Sequence, residues 1–287
     1  MMTLDHPAFA LPATAAEAVA ALERRPGAAY VAGGTELMPD LLWRTASPAG
    51  FVALRRVEEL RTVSEAPDAV RVGATVTIAA LHDGPAGAAV PGLARAAASL
   101  GTPLVRTQAT VGGNVMSALP YRNLLPVLLA VGADVELTGP DGVRTLPFDG
   151  FVTAPGRTRA EPGELLTALV VPRAAGFQDY VKVGPRNAQF VATAGAAVAV
   201  DAGRRVRFGF GNAADVPLRV PEADEIATQA LAAGDPRAAG DLAAAVGRGV
   251  DPPTDHVASA AYRRHALGVL AGRLLERAVE RGREEAR

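Results

Sequence analysis

Twice in this chain a short apolar run ends in two consecutive glycines, and this repeated device limits what the residues around it can build. The first is Ala29-Tyr30-Val31 leading into Ala32-Gly33-Gly34-Thr35. The second is the β-favouring Ala109-Thr110-Val111 leading into Gly112-Gly113-Asn114. A glycine pair opens positive φ to the backbone and lets another molecule come close to the main chain. Amide N–H groups freed in this way can form a concave nest for an anion, most often a phosphate. Taken singly, either pair is as well explained by an ordinary turn. Taken together, they suit a ligand with two phosphates, so the residues alone point to a pyrophosphate-containing cofactor such as a flavin.

Length and composition narrow the class. At 287 residues the chain exceeds the usual size of one compact core, so two domains are expected. A net charge of −1 offers no bulk attraction for nucleic acid or an anionic membrane. No apolar run is long enough to span a bilayer, and Met1 to Ala20 lacks the pattern of a signal peptide. A cytoplasmic location is the expectation. Cysteine is absent, which excludes disulfides, thiol catalysis and any iron–sulfur cluster held by this chain. His6, His82, His256 and His265 are scattered, with no pair at ligand spacing, so no metal site is expected. Lys182 is the only lysine in a chain that otherwise uses arginine for positive charge. Chance retention at the surface explains it as well as a role that arginine cannot fill.

The pattern predicts a first helix from Thr14 to Arg24, capped by Thr14 with Glu17 three residues on. A strand at Ala29–Val31, the first glycine pair and a short helix from Thr35 follow. Phe51–Leu54 and Val70–Val76 read as strands, and Thr77 as the cap of a helix at Ile78–Leu81. Pro91–Leu100 reads as a helix, and Leu124–Val131 as a buried one. Asp134–Thr138 and Val143–Leu146 form a hairpin. A boundary falls near Pro172–Gly176. Beyond it come strands at Tyr180–Val183, Ala192–Val200 and Val206–Phe210, then helices at Asp235–Val246 and Ser259–Arg283. Consecutive strands followed by helices predict an α+β unit with an antiparallel sheet.

Some signals are set aside. Gly209-Phe210-Gly211-Asn212-Ala213-Ala214 fits a dinucleotide fingerprint, but Pro217 and Pro221 interrupt the helix such a site requires. A strand end and turn is the better reading. The only lysine lacks a preceding glycine, which excludes a P-loop, and no Gly-x-Ser-x-Gly elbow is present. The pairs Glu58-Glu59 and Glu284-Glu285 lie in charge-rich contexts and read as solvated.

The first glycine motif with Glu36-Leu37, followed by Val105-Arg106-Thr107-Gln108 and the second motif, resembles the FAD-binding medium subunit of the molybdenum hydroxylases. That family includes carbon monoxide, xanthine, aldehyde and aromatic-CoA dehydrogenases. The resemblance continues through Leu124-Leu125-Pro126-Val127-Leu128-Leu129-Ala130 and Pro162-Gly163-Glu164-Leu165-Leu166. It extends through Tyr180-Val181-Lys182-Val183-Gly184-Pro185-Arg186 to Tyr262-Arg263-Arg264-His265, and so covers almost the whole chain. It implies an α+β protein. A two-lobed, PCMH-type FAD-binding domain spans 1–173, in lobes of about 1–54 and 55–173, and a smaller C-terminal α+β domain spans 174–287.

The same resemblance implies that Ala32, Gly33, Gly34, Thr35 and Glu36, with Thr110, Gly112, Gly113 and Asn114, bind the FAD pyrophosphate. Leu166, or its neighbour Leu165, would lie against the flavin, and Lys182 near the cofactor. Asn123 stands where the family usually carries an acid toward the adenosine end, and Arg122 beside it adds positive charge. Ser117 to Tyr121 also departs from the family pattern. The implied function is electron transfer: from a molybdopterin large subunit, through a [2Fe–2S] small subunit, to FAD and an external acceptor. No catalytic acid or base is required of this chain. A stand-alone FAD oxidase or dehydrogenase, with Tyr121 on the substrate side, and a flavin-free scaffold or assembly protein are the alternatives.

Overall fold

The computed structural model describes residues 8–186 and 191–285, so His6 lies outside it. The chain opens with β1 (Ala8–Ala10), α1 (Ala15–Glu23), β2 (Ala28–Val31), α2 (Leu37–Leu42) and β3 (Gly50–Ala53). The three strands form a parallel sheet in the order β1-β3-β2, with α1 and α2 as the crossovers parallel pairing requires. The Thr14 hydroxyl caps α1 by accepting from the Glu17 amide at 3.1 Å, and Glu17 accepts in turn from the Ala13 amide at 2.8 Å. Central β3 is buried throughout, and Val19 and Ala18 of α1 close over it.

The middle of the chain holds β4 (Val63–Glu65), β5 (Ala69–Gly73), α3 (Ile78–Asp83), α4 (Pro85–Ala89), α5 (Pro91–Ala98), α6 (Pro103–Gln108) and α7 (Val111–Met116). It continues with α8 (Leu124–Val131), β6 (Asp134–Gly139), β7 (Gly142–Pro147), β8 (Val152–Ala154), β9 (Arg157–Thr158) and β10 (Leu165–Pro172). β10 is the centre of an antiparallel sheet ordered β4-β5-β10-β6-β7, and β8 and β9 pair separately. Its register with β6 shifts between Leu166 and Ala168, a bulge at Thr167. The hydroxyl of Thr167 donates to Glu136 Oε1 at 2.7 Å, and Arg71 Nη2 reaches the same oxygen at 2.6 Å from β5. These bonds hold the Glu136 carboxyl below its ordinary pKa, the Arg71 bond most of all.

The last part comprises β11 (Gln178–Val183), β12 (Ala194–Val200), β13 (Val206–Gly211), α9 (Pro221–Ala233), α10 (Ala239–Gly249) and α11 (Ala260–Glu285). The strands pair antiparallel in chain order, with the helices on one face, so this is the expected α+β unit. α8, buried along its whole length, packs against β12 and β13, and the middle core runs on to Tyr180, Ala197 and Ala199. Gly209 of the discarded fingerprint has its reason here: a Cβ would collide with the Pro126 carbonyl of α8. β13 runs through Gly211, and Asn212 turns the chain at φ +54°. No helix among the described residues is long and apolar enough to cross a membrane.

Several local expectations are corrected. The run into the second glycine pair is helical, in α6 and α7, where a strand and turn were expected. Thr102 and Thr110 cap these helices, and Pro103 fits the first helical position, which outweighs the β-branched Val105 and Val111. Val70–Val76 keeps strand geometry only to Gly73, and Leu54 already belongs to a 3₁₀ turn. Pro221 starts α9 at its first turn, where a proline lacks no bond it needs. The helix expected from Asp235 begins as a 3₁₀ turn at Pro236–Ala238.

Candidate cofactor site

The β2–α2 loop, the N-terminus of α7 and the start of β10 converge on a cavity of about 400 Å³. All of the expected site residues line it except Asn123 and Lys182. The β2–α2 loop is built for an anion. The amides of Gly33, Gly34, Thr35 and Glu36 make no backbone hydrogen bond among the described residues. Gly34 sits at φ +69°, where a side chain is strained, and a Cβ on Gly33 would collide with the Gln108 carbonyl.

The second pair works differently from the nest expected of it. Gly112 and Gly113 occupy the first turn of α7, outside the left-handed region. Their amides are already engaged: Gly112 donates to the Ala74 carbonyl at 2.7 Å, and Gly113 to the Thr110 hydroxyl at 3.1 Å. The Asn114 amide bonds the Thr110 carbonyl at 3.0 Å. Here glycine serves close approach. A Cβ on Gly112 would lie 2.8 Å from the Ala74 oxygen, and Gly113 leaves the cavity wall bare.

Two buried oxygens in the wall, Thr75 Oγ1 and Asn114 Oδ1, have no hydrogen-bond partner within the protein. A buried polar group left without a hydrogen bond costs about 1–3 kcal/mol, so both fit a polar ligand that completes them. Leu165 and Leu166 supply the apolar wall, at the strand end that the Thr167 bulge re-aims. The Tyr30 hydroxyl donates to the Gly163 carbonyl at 3.1 Å and holds the turn leading into that wall. Burial raises the Tyr30 pKa, which keeps the hydroxyl protonated as a donor. Glu164, also in the wall, is paired with Arg144 Nε at 2.6 Å, and this bond keeps its carboxyl ionised below the ordinary range. Open amides, two orphaned oxygens and an apolar wall together fit a dinucleotide carrying a flat ring.

Asn123 and Lys182 meet at Ser99 instead. Asn123 is buried, and its Nδ2 donates to Ser99 Oγ at 2.9 Å, whereas Lys182 Nζ donates to the Ser99 carbonyl at 2.7 Å. Partial burial lowers the Lys182 pKa to about 8. Ser99 immediately precedes Leu100, which does line the cavity. Tyr30, Thr75 and Arg122 line it too. In the sequence Arg122 stands out only as a departure, and nothing local marks Thr75, a threonine just beyond β5.

Fold and cavity together define a class. Residues 5–174 match the family described as the FAD binding domain in molybdopterin dehydrogenase. Residues 179–278 match the CO dehydrogenase flavoprotein C-terminal domain. The chain belongs to the FAD-binding subunits of the molybdenum hydroxylase family, and is an oxidoreductase subunit whose cofactor is FAD.

Among its relatives, the carbon monoxide dehydrogenase medium chain of Afipia carboxidovorans is 31% identical, covering 95% of this chain and 96% of that one. The xanthine dehydrogenase FAD-binding subunit of Escherichia coli O157:H7 is 29% identical over 96% of this chain and 97% of its own. A chain of the reconstituted CO dehydrogenase from Oligotropha carboxidovorans superposes with a TM-score of 0.89 at 30% identity, covering 98% of this chain and 100% of that one.

Proposed function

We propose that the chain takes electrons from a [2Fe–2S] small subunit, itself fed by a molybdopterin-binding large subunit, and passes them to an external acceptor. The observation that carries this reading is the combination of a dinucleotide-shaped cavity with a chain that has no cysteine. A chain without thiolates cannot hold the clusters that feed a flavin, so a partner must. Relatives named as medium chains or medium subunits support such an assembly.

FAD bound here would supply the redox chemistry. The protein's residues bind and orient. The open amides of Gly33 to Glu36 hold the pyrophosphate, and Ala32 leads β2 into that loop. Gly112 and Gly113 let the cofactor approach α7, with Thr110 fixing that helix end and Asn114 and Thr75 completing polar contacts. Leu166 and Leu165 would exclude water from the part of the cavity that takes the ring. Asn123 and Lys182 act one layer out, through Ser99 and the Leu100 segment. In this reading residues 1–173 hold the cofactor, in lobes of about 1–54 and 55–173, and 174–287 form the C-terminal domain.

The test is to load the chain with FAD and mix it anaerobically with the reduced [2Fe–2S] subunit of its own complex. Bleaching of the flavin absorbance, at a rate that rises with partner concentration, is expected. Absence of bleaching, or turnover of a small molecule by the isolated flavin-loaded chain, contradicts the reading.

A further inference from the structure

Among the described residues lining the cavity, Arg122 is the one cation, and the wall also carries the carboxylates of Glu36 and Asp40. The third acid of the wall, Glu164, already has Arg144 as its partner. Arg122 Nη2 lies 2.5 Å from Glu36 Oε2, so the ion pair crosses from the α7–α8 connection to the loop that carries the open amides. The two partners are held unequally. The Arg122 side chain is 17% exposed, its Nε donates to Ser117 Oγ at 2.8 Å, and its guanidinium lies 5.1 Å over the Tyr121 ring. The Glu36 side chain is 48% exposed and makes no hydrogen bond among the described residues.

A diphosphate seated on the amides of Gly33 to Glu36 brings negative charge beside the Glu36 carboxylate. Like charges at that range repel, and the half-exposed carboxylate is the group free to turn into solvent. The guanidinium stays, anchored from behind by Ser117 and Tyr121, with a fork of N–H donors that matches phosphate oxygens. We propose that Arg122 binds the diphosphate of FAD, and that Glu36 is the counter-ion it gives up when the cofactor binds. The proposal rests on the FAD site described above. It makes the positive charge that departs from the family pattern a working part of this chain's cofactor site, and it makes cofactor affinity sensitive to salt.

The experiment is FAD titration of the full chain by flavin fluorescence at low and high salt, with Arg122→Gln, Arg122→Lys and Glu36→Gln. Arg122→Gln is expected to weaken binding about 10- to 100-fold at low salt, the range of a lost charge-assisted bond. It is also expected to flatten the salt dependence, because the screened charge is gone. Arg122→Lys recovers part of both effects. Glu36→Gln, which leaves the guanidinium in place without a rival anion, tightens binding at low salt and serves as the readout if Arg122→Gln does not fold. A salt slope unchanged in Arg122→Gln, or Glu36→Gln binding no tighter than wild type, overturns the proposal. Wild-type protein that binds no FAD at any salt contradicts the cofactor site itself, a different failure.

Discussion

Gly33 and Gly34 are adjacent, and they are glycines for different reasons. Gly34 has a backbone that only glycine adopts without strain, whereas Gly33 lacks room for a Cβ beside Gln108. Gly34→Ala is expected to cost about 1–2 kcal/mol in chemical denaturation, from the left-handed backbone. Gly33→Ala must separate the β2–α2 loop from α6, and is expected to cost about 1–3 kcal/mol and to weaken FAD binding as well. Equal and negligible losses in both would contradict the close approach of the two loops.

Lys182 gives a pH signature. Its folded pKa of about 8 lies below the model-peptide value near 10.4, so between those pH values the unfolded chain binds more protons. Stability is expected to rise across that window, and Lys182→Met to remove that part of the rise, measured as urea midpoints from pH 7 to 10.5. The glycine pairs were legible as residues because composition alone marks them. Thr75 and the pairing of Asn123 with Ser99 were not, since tertiary contact creates both.

Element by element, legibility followed local chemistry. Helices announced by a hydroxyl cap and an apolar face, α1 and α3, could be read directly. β10 could not: Leu165 to Val171 is apolar on both faces because the strand is central, so no alternation marks it. α6 and α7 were hidden by their β-branched residues, and α9 by a proline that breaks helix interiors yet suits helix starts. In α11 the buried Arg263 is a tie with a checkable cost. It donates to the Thr193 carbonyl at 3.1 Å, to the Pro253 carbonyl at 2.7 Å and to both Asp255 oxygens at 2.8 Å. Arg263→Leu is expected to lose about 3 kcal/mol in denaturant unfolding. The Arg263 bond holds the Asp255 pKa at about 2 against an ordinary 3.8. A depressed carboxyl pKa stabilises above the unfolded value, so that contribution is present at pH 5 and fades as pH falls from about 4 to 2. Arg263→Leu should therefore show a shallower acid-side loss than wild type.

At the scale of the whole molecule, the three larger sheets are locked together by contacts distant in sequence. Asp179 at the start of β11 takes Arg277 Nη1 of α11 at 2.7 Å and lies 3.7 Å from Arg95 Nε of α5. α8 fills the seam between the middle core and β12 and β13. The cavity lies where the first sheet meets the middle one, so its walls come from segments more than a hundred residues apart. That is why the motifs could be read from the sequence and their geometry could not. The motifs name a diphosphate ligand, but which amides remain open depends on whether Gly112 and Gly113 lie in a turn or a helix.

The measurement that bears most directly on the central claim is the visible absorption spectrum of the purified chain, before and after incubation with FAD and gel filtration, beside Gly113→Asp. Gly113 is exposed to the cavity and a Cβ there meets only the Thr110 hydroxyl at 3.0 Å, so the variant should fold while placing a carboxylate in the cofactor's path. Retained flavin bands in wild type and their loss in Gly113→Asp are expected. A wild-type protein that stays colourless, or a variant that keeps its flavin as firmly as wild type, would contradict an FAD site across the two glycine pairs.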